Sequence, residues 1–180
     1  MLDSLSNIFK ITELRNKILY TLMMFAIFRA GIHIPVPGVD ASVIESLFTS
    51  GNLFGLLDLF AGGALSKFSI FAMSITPYIN ASIIMQLLQS VVPQFEAWSK
   101  DGEDGRKKIA KVTRYGTVVL GFVQAAGMAF ALRANNALVN NDFLSVFVVA
   151  IILTAGTCLL MWIGEQLTVY GIGHGISLII

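Results

Sequence analysis

Two side chains have the chemistry of a catalytic pair: His174 and Ser177, three residues apart and able to meet on one helical turn. Serine hydrolysis also needs a nucleophile turn and a third group to orient the imidazole, and neither accompanies them. Cys158, the one cysteine, lies inside an apolar run with no partner for an intrachain disulfide, and reads as a small buried hydrophobe. No H-E-x-x-H, EF-hand, P-loop or C-x-x-C spacing occurs, so neither a metal nor a nucleotide cofactor has support. The basic run RKKIAK can bind phosphates of ribosomal RNA or anionic lipid, although retaining a loop in the cytoplasm is its simpler role. One stretch carries polarity that its setting does not explain. SITPYINASIIMQ, residues 74–86, holds Pro77, Asn80, two serines, Thr76 and Gln86 within the longest charge-free run of the chain.

That run must be positioned by membrane-spanning elements. Charged residues make up 13% of the 180 residues, about half the share usual in soluble domains, and the mean hydropathy is +0.77. Charge-free stretches cover Phe68 to Phe95, Tyr115 to Leu132, Phe143 to Gly164 and Gln166 to Ile180. Several runs near the roughly 20 residues needed to cross a bilayer predict an all-α polytopic membrane protein. The expected spans are residues 18–34, 68–92, 113–132 and 143–164, with the start of a fifth at 175–180. That fifth span stops at Ile180, so a fragment, or a chain completed by a partner, is expected.

Residues 1–17 predict an amphipathic N-terminus on the membrane surface, with Leu2, Leu5, Ile8 and Phe9 set among polar neighbours, the alternative being a frayed tail. Arg29, at the end of the first span, has the reach to snorkel to the interface. Pro35 and Pro37 then stop the helix. Nine Lys and Arg fall on the side of the N-terminus and the 93–112 loop, against three on the other side, which places the N-terminus in the cytoplasm. With a net charge of +1 no global field gathers nucleic acid or acidic substrates. On the outer side, NLFGLLDLFAGGALSK is nearly as apolar as the spans but too short to cross, and it is broken by Gly55, Gly62 and Gly63. Broken backbone at membrane depth needs protein or a cavity around it, which predicts a short re-entrant helix and a Gly62–Gly63 hinge, the alternative being an interfacial helix resting on the outer leaflet.

The segments FRAGIHIPVPGVD, LFAGGALSKFSIFAMSITPYINASIIMQLL, DGEDGRKKIAKVTRYGT and LMWIGEQLTVYGIGHGISLII resemble successive landmarks of the SecY family, the channel subunits of the bacterial protein-export translocon. The resemblance runs from about Leu14 to Ile180, in order and in spacing. It implies the N-terminal half of a two-part clamshell in the bacterial cytoplasmic (inner) membrane, conducting unfolded secretory proteins and releasing membrane proteins into lipid. Residues 53–67, with Leu53, Phe54, Leu57, Phe60, Gly62 and Gly63, fall on the family's plug. Ile75, Ile79 and Ile180 fall on its pore ring, and Pro77, Asn80, Ser82 and Gln124 on its lateral gate. Arg106, Lys107, Lys108, Lys111 and Arg114 form its cytoplasmic basic loop. Implied partners are SecE- and SecG-type small membrane subunits, a SecA-type motor ATPase, the ribosome, signal sequences and nascent chains, the lipid bilayer, and the C-terminal half of the channel. Ser74 stands where the family often has glycine, and His174 where it has asparagine.

Spacing supports part of this by itself. Ile75, Ile79 and Ile83 recur every fourth residue and should share a helical face, and Pro77 should allow a bend between them. On periodicity alone, helix packing ranks ahead of pore lining; the resemblance reverses the order. The competing reading is a small-solute secondary transporter with broken helices binding substrate at the midplane. It would need converging polar or ionised groups, whereas an isoleucine constriction suits a gasket, and the spans hold only Arg29, at an edge. An enzyme is not expected.

Overall fold

The computed structural model describes residues 11–46, the backbone of 47–49, Gly63 and residues 65–180. The described residues form helices α1 (Thr12–Ile32), α2 (Ala41–Thr49), α3 (Thr76–Val91), α4 (Pro93–Lys100), α5 (Gly102–Ala134), α6 (Phe143–Tyr170) and α7 (Gly175–Ile179). Isolated bridges Pro35–Ser69 and Val39–Leu138 take the place of a sheet among them.

Two helices, α5 and α6, are long and apolar enough to cross a membrane. They pack on each other more extensively than any other described pair of helices, and small residues on α5 explain how. Thr113, Thr117, Gly121, Ala125 and Ala129 are buried at every fourth position, so a single narrow stripe lets neighbouring backbones approach. Ala125 and Ala129 meet Val146, Val149, Ala150 and Leu153 of α6 in the main apolar cluster. The hydroxyls of Thr113, Thr117, Thr154 and Thr157 each donate to the carbonyl four residues back, so none is left unsatisfied in the packed interior. Asp142 caps α6 by accepting from the Phe143 N–H at 2.8 Å. The opposite faces carry Val119, Phe122 and Val123 on α5, and Phe147, Ile151 and Trp162 on α6, all exposed. Water would penalise such faces heavily, whereas lipid covers them at no cost.

The second expected span departs from a single helix. Residues 65–75 are a run of turns, and α3 begins only at Thr76. Its 16 residues reach about 24 Å, short of the hydrocarbon thickness. The turn segment is nevertheless buried: Phe68, Ser69, Phe71, Ala72, Met73 and Ile75 are all under one tenth exposed. Backbone pairing holds it there. Val36 N–H donates to the Phe68 carbonyl at 3.0 Å and Ile70 N–H to the Ile34 carbonyl at 3.1 Å. Pro35 is thus the non-donating member of a bridge, where its missing N–H costs nothing. On the other side of the same strap, Asp40 N–H bonds the Ala137 carbonyl and Val139 N–H the Gly38 carbonyl. One extended strap, residues 34–40, therefore ties the broken segment to the α5–α6 connection.

Two glycines admit the segment to the helix walls. A Cβ on Gly156 of α6 would collide with the Ile70 carbonyl, and one on Gly31 of α1 would enter the Phe71 ring. Phe71 also stacks on Phe28, with centroids 5.8 Å apart. Ser74 has φ 52°, a left-handed conformation that disfavours any side chain but suits glycine. Ser74→Gly should therefore stabilise the protein by about 1 kcal/mol, read as a raised Tm of the purified full-length protein; an unchanged or lowered Tm would contradict the assignment.

Other boundaries shift as well. α1 begins at Thr12, so Arg15 and Lys17 stand on the same helix as the first expected span. The expected 93–112 loop is α4 plus the first turns of α5, and α6 runs six residues past the predicted 164 to Tyr170. Asp40 opens α2: its carboxylate accepts from the Ser42 hydroxyl at 2.6 Å and the Ser42 N–H at 3.0 Å. Those two bonds, the hydroxyl's first, hold the Asp40 carboxyl below its ordinary range.

Candidate functional site

The first turn of α3 is built by the break before it. Ile75 is the N-cap of α3, outside the helix proper, and Pro77 lies in its first turn. The expected bend at Pro77 is thereby corrected: at this position the ring replaces an N–H that has no helical partner anyway, so it starts the helix instead of kinking it. Pro77 is buried against Gly121 of α5. The buried line Pro77, Ala81, Met85 faces α5, leaving Ile83, Ile84, Leu87 and Val91 exposed on the other side.

The three isoleucines are not equivalent. Ile75 is 1% exposed and converges with Ile176 and Ile179 of α7 on Gly164 of α6. Ile79 is half-buried and Ile83 is 50% exposed, so the shared face emerges from the protein as α3 proceeds. Ile180 is 71% exposed; its neighbour Ile179 is the residue brought beside Ile75. Asn80 and Gln124 are each half-buried on α3 and α5. Ser82 lines a cleft of about 280 Å³ with Tyr78, Gln86, Gln89, Ser99 and Arg106, where α3, α4 and α5 meet. A larger cleft of about 400 Å³, between the start of α1 and the end of α6, holds none of the candidate residues. Of the plug residues, Leu53, Phe54, Leu57, Phe60 and Gly62 lie outside the described residues; Gly63 has φ 83°.

The basic residues expected on a loop, Arg106, Lys107, Lys108, Lys111 and Arg114, all stand on α5. Lys107 pairs with Glu103 at 3.5 Å and Asp104 at 3.9 Å, and Lys108 lies 6.0 Å from the centre of the Trp98 ring on α4. On α4, the Lys100 ammonium 2.6 Å from Glu96 holds that carboxyl below its usual range. Arg114 differs from the other cations, because its Nε donates to Glu165 Oε1 on α6 at 2.6 Å. Sequence reading missed that pair. Its signal was available: each charge borders a long apolar run, and an α5–α6 hairpin brings those two borders to one end.

His174 and Ser177 do come together, Nδ1 to Oγ at 3.4 Å. Both are exposed, and the His174 carbonyl accepts from Leu178 N–H as the first turn of α7 forms. The arrangement is that of a helix start.

Long apolar helices packed through small residues, with uncovered apolar faces and a buried break in one span, define an all-helical membrane protein. The sequence model of the SecY family matches residues 69–180, and the chain belongs to that family. It is 53% identical to a protein translocase subunit SecY of Halalkalibacterium halodurans and 52% identical to that of Bacillus subtilis, each alignment covering 100% of this chain and 42% of the relative. A Staphylococcus aureus protein translocase subunit SecY is 48% identical, with 43% of its length covered. The chain spans about two fifths of the length of these curated relatives.

Proposed function

We propose that the chain forms one wall of a protein-conducting channel in the bacterial cytoplasmic membrane, N-terminus in the cytoplasm, that passes unfolded secretory proteins across and releases membrane proteins sideways into lipid. The observation that carries this is α3 itself. One face of it is locked onto α5 through Pro77, Ala81 and Met85, while the other leaves Ile83, Ile84 and Leu87 exposed beside half-buried Ile79 and Asn80. Membership of the SecY family gives that uncovered face its meaning: a surface meant to meet a second half of the channel and the chain passing between them. In this reading Ile75, Ile79 and Ile180 belong to the constriction, and residues 53–67 to the plug outside it. Asn80, Ser82 and Gln124 line the seam toward lipid, with Pro77 anchoring the gate helix. The basic residues of α5 hold their end of the helix in the cytoplasm.

Such a channel does no bond chemistry. An apolar constriction excludes hydrated ions, and it accommodates an extended polypeptide of any sequence because it asks for no specific hydrogen bonds. Driving energy would come from a SecA-type motor ATPase or the ribosome, with SecE- and SecG-type subunits completing the membrane assembly. The gate assignment is tested with Asn80→Leu in the full-length channel complex. A half-buried amide at a seam favours partial hydration there, so an apolar replacement should shift the hydrophobicity at which signal sequences are accepted by about two- to fivefold in export of weak substrates. Identical thresholds across a graded series of signal sequences would place Asn80 in ordinary packing.

A further inference from the structure

The Arg114–Glu165 pair joins α5 to α6 through a single 2.6 Å contact, whereas Glu13–Lys17, Glu96–Lys100, Glu103–Lys107 and Asp104–Lys107 each lie within one helix. We propose that Arg114 and Glu165 are positioning residues that hold the cytoplasmic halves of α5 and α6 together and so keep the α3 constriction seated until a signal sequence arrives; this rests on the channel reading above.

Three observations connect the pair to the constriction. Glu165 directly follows Gly164, the glycine on which Ile75, Ile176 and Ile179 converge. Arg114 directly follows Thr113, the first threonine of the α5 packing stripe, and Thr113 shares the α3–α4–α5 cleft with Tyr78 and Ser82. α3, the helix that carries Tyr78, packs against both α5 and α6. The pair therefore sits where α3, α5 and α6 pack together, Glu165 being the residue after the glycine on which Ile75 rests. Glu165 is the more enclosed partner, its side chain 23% exposed against 54% for Arg114. Beside a bilayer the surrounding dielectric is low, and a charge left without its partner destabilises more than the intact pair stabilises. Neutralising either residue should let α5 and α6 part there and loosen Gly164 from Ile75.

The experiment uses the full-length channel with its partner subunits in proteoliposomes. It compares Glu165→Gln, Arg114→Gln and the charge swap Arg114→Glu/Glu165→Arg. Export of precursors with weakened signal sequences should rise about two- to fivefold in each single variant and return toward the parent in the swap. Raising the salt concentration should narrow the difference between single variants and parent. Arg114→Lys, which keeps the charge, should stay near the parent; this separates loss of the pair from loss of folding. Thermal unfolding of the same set supplies a readout that needs no transport. Coupling seen in unfolding while export stays unchanged would make the pair merely structural and overturn the proposal, as would single variants that the swap fails to rescue. A parent protein that exports no precursor would instead sink the channel reading.

Discussion

Gly156→Ala should cost the protein about 3 kcal/mol of stability and sharply reduce the folded yield from membranes. A single methyl at this site meets the Ile70 carbonyl, a backbone group of a residue whose N–H is bonded to the Ile34 carbonyl of the 34–40 strap, rather than the far end of a side chain that could turn aside. Relief requires either α6 or the 65–75 segment to move. The segment cannot move far without giving up the bonds at Val36 and Ile70 and the burial of Phe68, Phe71 and Ile75. Gly127 is the matched control: it is also a glycine inside a long membrane helix, yet a Cβ there has nothing within 4 Å. Gly127→Ala should leave the thermal midpoint unchanged or raise it, since alanine is the better helix former by about 1 kcal/mol. Equal tolerance of alanine at both positions, measured by thermal unfolding of the full-length protein, would mean that the broken segment does not rest on α6.

That segment also marks the limit of what the sequence displayed. The apolar run from Phe143 announced α6 at its first residue, because composition alone makes a membrane helix there. Family and helical class were equally readable. Residues 68–75 were not. Phe68, Ile70, Phe71, Ala72 and Met73 are as suitable for a buried turn as for a lipid-facing helix, and apolar composition does not distinguish them. The decision is made by distant partners: the strap bonded at Ile34 and Val36, Gly31 on α1 and Gly156 on α6. Ser74 was the local hint: the resemblance puts glycine at its position, and its positive φ is one that suits glycine. Charge counting found the basic cluster but treated it as loop, because Lys and Arg look alike on a solvated helix and a tail. It overlooked Arg114–Glu165 because pairing across a hairpin depends on the lengths of both helices.

The candidate ring was legible as a spacing and only partly as a surface. Four-residue recurrence placed Ile75, Ile79 and Ile83 on one face, but it could not show that Ile75 is enclosed by Gly164, Ile176 and Ile179 while Ile79 stands half-open beside it. This changes which substitution is informative. Ile75→Ser removes a fully buried side chain and should destabilise by about 2–4 kcal/mol through the cavity it leaves, which confounds any reading of permeability. Ile79→Ser alters a side chain that is already partly uncovered, so folding should survive and the permeation path should be the part that changes.

The second large expectation follows from that difference. A constriction excludes ions because a hydrated ion would have to shed water against groups that offer no hydrogen bonds in return. One hydroxyl at the narrowest point restores a partner for water. Introducing Ile79→Ser into the full-length channel complex, with Ile75→Val as a volume control that keeps the lining apolar, provides the most direct test. The measurement is the resting ion conductance of the complex in planar bilayers, with no precursor present. The account predicts a conductance at least about tenfold above the parent for Ile79→Ser, and a parent-like value for Ile75→Val. Folded Ile79→Ser channels that remain as tight to ions as the parent would contradict the placement of α3 on the permeation path.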